Sequence, residues 1–132
     1  MKKIIFAMLI SSISAPLHAF SGADLLGQCT NFIDIIEGKK TDLQHTLEAG
    51  LCGGYVLGVQ EGFIASSELA FIASEEKGMK PVTGKYWEVP AGVEAENIVR
   101  IVVKYLKINT EMQSKPAVLS VINALIQTYP IK

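Results

Sequence analysis

Histidine and cysteine are both scarce in this chain of 132 residues, with two of each. One histidine lies in an N-terminal segment that we expect to be removed, which leaves His45 alone. A zinc site or a Ser-His-Asp nucleophile needs several such side chains together, and no G-x-S-x-G motif is present. Two carboxylate pairs are present, but neither needs a catalytic role to explain it. Glu75 and Glu76 are typical of a charged loop in water, and Glu94 and Glu96 of the acidic residues that stabilise a helix N-terminus. The sequence therefore predicts a binding protein with no catalytic residue, metal or cofactor.

Charge is scarce as well, at 19% of residues, and nearly balanced, with 12 Lys plus Arg against 13 Asp plus Glu. Without Lys2 and Lys3 the remaining chain has ten basic and thirteen acidic residues, a net charge of −3. Such a domain lacks the basic surface that binds nucleic acids or anionic membranes, so neither is expected as a partner of the mature chain. Since 49% of residues are hydrophobic, we expect one globular domain with a substantial core.

The N-terminus has the pattern of a bacterial signal peptide. Lys2 and Lys3 form a basic start, Ile4 to Ile13 form an apolar run, and Ala19 offers a small residue for cleavage. The apolar run is too short to span a bilayer, which takes about 20 residues. We therefore predict a signal peptide over residues 1–19, a mature domain over residues 20–132, and release into the periplasm.

Export changes the interpretation of the two cysteines, Cys29 and Cys52. In an oxidising compartment such a pair more often forms a disulfide than a metal site or a nucleophile. The bridge would close a loop of about 24 residues and, in the chain-entropy description, stabilise the fold by roughly 3 kcal/mol.

Apolar residues recur at spacings of three and four in four segments, which predicts an all-α bundle of four to five helices. The predicted helices cover about residues 22–36, 43–74, 94–107 and 116–129. Ser21 with Asp24, and Thr41 with Gln44, have the spacing of capping boxes at the first two helix starts.

Glycines recur every four residues in the middle of the second predicted helix, at Gly50, Gly54, Gly58 and Gly62. Each interior glycine costs a helix about 1 kcal/mol relative to alanine, so the row needs a compensating role. A phosphate-binding loop would lie between a strand and a helix, a context that is absent here. The row instead predicts that another helix packs closely against it, from the same chain or from a second copy.

The segment from Glu75 to Gly92 breaks the helical pattern with charges, glycine and proline, and we expect a loop of about 16–18 residues. Connections of this length are uncommon in compact domains and are often functional. Tyr86 and the only tryptophan, Trp87, lie late in this loop. Their rings either pack back onto the helices and hold the loop, or bind a partner.

Four segments follow the first cysteine in a particular order. They are Cys52-Gly53-Gly54-Tyr55-Val56-Leu57-Gly58-Val59, Val89-Pro90-Ala91-Gly92-Val93, Val103-Lys104-Tyr105-Leu106 and Ala124-Leu125-Ile126-Gln127-Thr128-Tyr129-Pro130. Over nearly the whole mature chain, this arrangement resembles the Rap/Tai family of immunity proteins, which protect bacteria from type VI secreted peptidoglycan amidases. Relatives often carry a second cysteine pair at places that here hold Trp87 or Glu88 and Ile131. The resemblance implies that another contact, such as apolar packing, replaces that bridge.

The resemblance further implies a small, often homodimeric periplasmic protein that plugs the active-site cleft of a cognate amidase, itself a papain-like Cys/His hydrolase. A protruding interhelical loop does the plugging in relatives, and Glu75 to Glu88 is the best match here. The residues expected to bind the partner are Glu75, Glu76, Lys77, Lys85, Tyr86, Trp87 and Glu88. Aromatic anchors suit interface hot spots, and acidic side chains steer a protein toward a basic surface.

Two other functions are compatible with the same composition. A periplasmic acid-stress chaperone of the HdeA type is also small, helical, exported and joined by one disulfide. An envelope hydrolase would have to use His45.

Overall fold

The computed structural model describes residues 19–78, residue 80 and residues 86–131. Its helices are α1 (Gly22–Ile36), α2 (Leu43–Glu76), α3 (Ala95–Ile108) and α4 (Ala117–Thr128), with a short 3-10 helix, η1 (Thr110–Ser114), before α4. No strand lies in these described ranges, so the prediction of a small all-α bundle is confirmed. Apart from Ala19, the expected signal peptide lies outside the described residues.

The starts of α1 and α2 show how local side chains set helix boundaries. At α1, the Ser21 hydroxyl accepts a hydrogen bond from the Asp24 N–H at 3.2 Å, and the Asp24 carboxylate accepts one from the Ser21 N–H at 2.9 Å. This is the predicted capping box. At α2 the N-cap is Asp42, which accepts from the His45 N–H at 3.1 Å. The capping box predicted from Thr41 is therefore wrong by one residue, because aspartate is the stronger N-cap.

The core lies where all four α-helices meet, and the disulfide crosses its centre. Cys29 on α1 and Cys52 on α2 form the predicted bridge, 23 residues apart in sequence, and both are fully buried. The other fully buried apolar side chains of large volume are Leu25, Val56, Val99, Val102, Leu106, Val121 and Leu125. The bridge thus joins two helices that the core also holds together.

The helix α2 is apolar on two opposite faces, and the core covers one of them. Cys52 and Val56 are fully buried, whereas Leu43, Leu47 and Leu51 are 75%, 61% and 60% exposed. At 3.6 residues per turn, these three leucines project away from the Cys52 side of the helix. The result is a long helix with an uncovered row of leucines.

The glycine row lies on this uncovered face. A side chain added at Gly50, Gly54, Gly58 or Gly62 would meet no described atom within 4 Å. The prediction of close packing is therefore wrong within this chain, because the glycines share a face with the exposed leucines. Gly53, on the other side, does lie close to a neighbour: an added Cβ would be 3.2 Å from the Phe32 ring.

Candidate partner-binding site

The last part of α2 extends beyond the core. After Phe63, which packs against the core, thirteen further residues continue the helix to Glu76, a length of about 20 Å. In this stretch only Ser67 and Ser74 are buried. We call residues 64–78, together with the returning residues 86–88, the projecting arm. Its position leaves most of its surface open to a partner.

The end of the arm carries charge in an unusual place. Glu75 and Glu76 occupy the last turn of α2, which contains no basic residue, and Lys77 is the C-cap. The negative end of the helix dipole lies here, so two carboxylates destabilise the helix slightly. Gly78 follows the C-cap with a φ of +62°, a conformation that glycine adopts without strain. An unfavourable local arrangement of this kind is typical of functional sites.

The two aromatic residues of the returning segment have opposite environments. The Trp87 ring is 4% exposed and stacks on Phe63, with ring centroids 4.1 Å apart and planes inclined by 26°. The neighbouring Tyr86 is 62% exposed, and its ring centroid lies 5.9 Å from that of Phe63. Trp87 therefore packs into the fold, whereas Tyr86 presents its ring to solvent.

Backbone contacts hold the same segment to the C-terminal end of the chain. Trp87 forms an isolated antiparallel bridge with Pro130, and the Glu88 N–H donates to the Tyr129 carbonyl at 3.1 Å. These contacts lie where relatives were expected to carry a second cysteine pair. In this chain the segment is therefore held to the C-terminal end by noncovalent contacts.

Comparison with known families identifies the chain. The family model of the Rap1a immunity proteins matches residues 21–131. The chain belongs to the Rap1a immunity protein family. Searches among curated proteins and among solved structures find no match. The match covers all four helices and the arm, so the sequence-based recognition of the Rap/Tai family is confirmed.

In this Rap1a family member the predicted binding residues fall into three groups. The exposed ones on the arm are Glu75, Glu76, Lys77, Tyr86 and Glu88. Trp87 is buried in the stack with Phe63. Lys85 lies outside the described residues. Glu75 and Glu76 belong to the end of α2, so the helix runs two residues further than the predicted boundary near Ser74.

Sequence reasoning missed the apolar residues that the arm exposes. Ile64, Leu69 and Ile72 lie on α2 and are 39%, 67% and 51% exposed. Helical spacing places such residues on α2, but periodicity alone does not tell which of two apolar faces is covered. The available signal was that apolar residues occur on two faces of α2, whereas a helix at the surface of a globular protein usually has one apolar face.

Several ionisable side chains elsewhere take part in structural contacts. His45 contacts Asp42 at the start of α2, and Arg100 donates to Glu96 and Glu37 at 2.8 and 2.9 Å. Within the described ranges no three His, Cys, Asp or Glu side chains group as metal ligands would.

Proposed function

We propose that this protein is a periplasmic immunity protein that binds a cognate type VI secreted peptidoglycan amidase and inhibits it by occluding its active-site cleft. The proposal rests on membership of the Rap1a immunity family together with one observation, the exposed Tyr86 ring on an arm that extends beyond the core. Inhibition then needs binding alone, with no reaction carried out by the chain.

The geometry of the arm supports this mode of inhibition. A papain-like amidase holds its Cys and His in a cleft, and an α-helical end about 10–12 Å wide is a suitable shape to cover one. Tyr86 supplies a large, rigid contact with a polar tip, which is typical of interface hot spots. Glu75 and Glu76 supply negative charge that attracts a basic rim and speeds association.

The proposed location is the periplasm. The buried Cys29–Cys52 disulfide is typical of proteins that fold in an oxidising compartment. The sequence of residues 1–19 has the pattern of a cleavable signal peptide. An immunity protein placed there would meet an incoming amidase in the compartment that contains its peptidoglycan substrate.

Binding and inhibition by purified proteins test this function. Tyr86→Ala is expected to raise the Kd for the amidase by roughly 30-fold, equivalent to about 2 kcal/mol, while Tyr86→Phe retains most of the affinity. The amidase is assayed on peptidoglycan fragments at increasing concentrations of each variant. Equal inhibition by wild type and Tyr86→Ala would contradict the assignment of the arm.

A chaperone gives a different result in the same experiment. It would bind many unfolded proteins at low pH and would not form one stoichiometric complex with a folded amidase at neutral pH. Titration calorimetry at pH 7 distinguishes the two functions, since immunity requires a saturable complex with a fixed ratio.

We also propose that a second copy of the chain covers the exposed face of α2. From Leu43 through Leu47, Gly50 and Leu51 to Gly54, this face carries no charge, and monomeric proteins rarely expose apolar patches larger than a few hundred Å². An apolar cleft of about 320 Å³ extends the surface; it is lined by Phe20, Gln28, Leu51 and Tyr55. The open glycines would let a second helix approach closely.

Charge favours an antiparallel arrangement of the two copies. Lys40, which precedes α2 and whose Nζ also lies 3.2 Å from Asp34 of its own chain, lies about as far before Leu51 as Glu61 lies after it. An antiparallel crossing near Leu51 therefore brings Glu61 of one copy toward Lys40 of the other, whereas a parallel pair would oppose like charges. The arm lies further along α2 and stays accessible in this arrangement.

Light scattering on purified protein tests the dimer. Wild type is expected to be dimeric, and Leu47→Glu is expected to be monomeric because it places a charge in the apolar contact. Ile108→Glu is the matched control, since Ile108 is 68% exposed at the end of α3, away from this face. By length and composition α2 is also long and apolar enough to cross a membrane. If wild type is monomeric and binds lipid vesicles, the exposed face is a membrane contact and the proposed dimer is wrong.

A further inference from the structure

We propose that Trp87 is a positioning residue for recognition, and that it acts by fixing the returning segment so that Tyr86 and Glu88 face a partner. This inference rests on the proposed function of the arm. It assigns to Trp87 a role through its neighbours and not through contact with the amidase.

Three contacts converge on Trp87 and its neighbour. The indole stacks on Phe63 at 4.1 Å, the backbone pairs with Pro130, and the Glu88 N–H donates to the Tyr129 carbonyl at 3.1 Å. Phe63 belongs to α2, and Tyr129 follows the end of α4. The contacts therefore attach one short segment both to the base of the arm and to the C-terminal part of the bundle.

Burial decides between positioning and direct contact. With 4% of its surface exposed, Trp87 offers almost no area to a partner unless the fold opens around it. The residues on either side are exposed. A buried anchor between two exposed side chains fixes their direction before binding. Less conformational entropy is then lost on association, so binding is tighter.

The bridge geometry provides a way to separate these roles. Pro130 has no N–H, and the adjacent Glu88 N–H forms the ladder bond, so Trp87 and Pro130 face each other as a non-hydrogen-bonded pair. The Cα atoms of such pairs lie about 4.5 Å apart, within the range that a disulfide spans. The double variant Trp87→Cys/Pro130→Cys therefore replaces the ring by a covalent link at the same place.

Affinity for the amidase is measured for wild type, Trp87→Ala and the double cysteine variant, oxidised and reduced. Trp87→Ala is expected to weaken binding about tenfold, the cost of ordering one or two side chains on association. The oxidised double variant should regain the wild-type affinity, and selective reduction of the new bridge should remove the gain. Peptide mapping verifies that Cys29 and Cys52 remain paired with each other.

Rescue by the disulfide would exclude direct contact, because the indole is absent from that variant. If the oxidised variant forms the bridge but still binds as weakly as Trp87→Ala, the indole itself contacts the partner and the inference is wrong. Failure of wild type to bind any amidase would instead overturn the proposed function.

Hydrogen exchange tests the inference without a partner. The Glu88 amide should exchange slowly in wild type, faster in Trp87→Ala, and slowly again in the oxidised double variant. Trp87→Phe keeps a ring against Phe63 and should stay close to wild type in both exchange and affinity. Unchanged exchange at Glu88 in Trp87→Ala would show that Trp87 does not hold the segment.

Discussion

Gly22, the first residue of α1, lies against the backbone of η1. A Cβ at this position would lie 2.4 Å from the Met112 carbonyl oxygen and 3.0 Å from the Gln113 Cα, so the two helices approach as closely as they do only because the side chain is absent. Among the glycines of the described helices, this is the one whose missing side chain is clearly used for packing against backbone.

Alanine substitution measures this contact against a control on the same helix. Gly22→Ala is expected to lower the free energy of unfolding by about 1–3 kcal/mol, because backbone atoms must shift to admit the methyl group. The Cβ added by Gly27→Ala would meet no described atom within 4 Å. This variant is expected to raise the free energy of unfolding by up to about 1 kcal/mol, because alanine favours a helix more than glycine does. Urea unfolding followed by circular dichroism measures both. Equal changes in the two variants would contradict this account.

The carboxylates at the end of α2 are expected to stabilise a complex at the expense of the free protein. Removing either charge, by Glu75→Gln or Glu76→Gln, should raise the stability by roughly 0.3 kcal/mol, because the helix dipole disfavours anions there. The same variants should associate more slowly with the amidase, with a weaker dependence on salt. Stopped-flow association at two ionic strengths is the measurement.

A control for this prediction lies on η1. Glu111→Gln removes the same charge from an exposed position on an element that does not contact α2 within the described structure. It should leave the association rate unchanged. A comparable decrease in all three variants would indicate a general effect of net charge and would remove the special role of the arm.

The disulfide is the strongest single connection between two elements, since it joins α1 to α2 across the core. Replacing both cysteines, as in Cys29→Ala/Cys52→Ala, is expected to lower the free energy of unfolding by about 3 kcal/mol. Chemical denaturation of the oxidised wild type, the reduced wild type and the double variant measures the effect. A loss below about 1 kcal/mol would show that core packing alone holds these helices together.

A polar contact connects α1 to α3 at the protein surface and gives stability a pH dependence. Hydrogen bonds donated by Lys39 and Arg100 lower the pKa of Glu37 below its ordinary value of 4.5. Because the pKa is lower in the folded state, this contact stabilises the protein above the unfolded pKa and is lost as the pH falls through the folded one. Wild type should therefore lose more stability than Glu37→Gln on acidification below about pH 4.5. Urea midpoints between pH 7 and pH 3 should converge for the two proteins; parallel curves would contradict the assignment.

The helix boundaries were predictable from sequence because the signals that set them are local. The capping box of Ser21 and Asp24 and the apolar spacing of α1, α3 and α4 all lie within a few residues of the structure they determine. The disulfide was predictable because only one intrachain pairing exists for two cysteines. The segment from Glu75 to Gly92 was recognised as exceptional for the same kind of reason, its local loss of helical periodicity.

The environments of α2 and Trp87 were not predictable because they depend on contacts distant in sequence. Cys52 and Leu51 are neighbours in one apolar segment, yet one is fully buried and the other is 60% exposed. Trp87 is buried by Phe63, 24 positions earlier in the chain, and by pairing with Pro130. Tertiary packing decides which apolar face is covered, and a sequence pattern with two apolar faces does not contain that choice.

At the scale of the whole molecule, the proposed function assigns stability to the bundle and recognition to the arm. The core, the disulfide and the Gly22 contact lie in the bundle, whereas the exposed side chains of Tyr86, Glu75 and Glu76 lie outside the hydrophobic core. Substitutions at these three positions should therefore change recognition with small effects on folding.

Co-expression in bacteria tests the central claim, protection by the arm, most directly. An amidase encoded beside this gene is directed to the periplasm together with wild type, the Glu75→Gln/Glu76→Gln/Tyr86→Ala variant, or the control Glu111→Gln, and lysis is followed. Wild type and the control are expected to prevent lysis, deletion of residues 2–19 is expected to abolish protection, and the arm variant is expected to fail although it is folded and exported. Full protection by the arm variant would contradict the account.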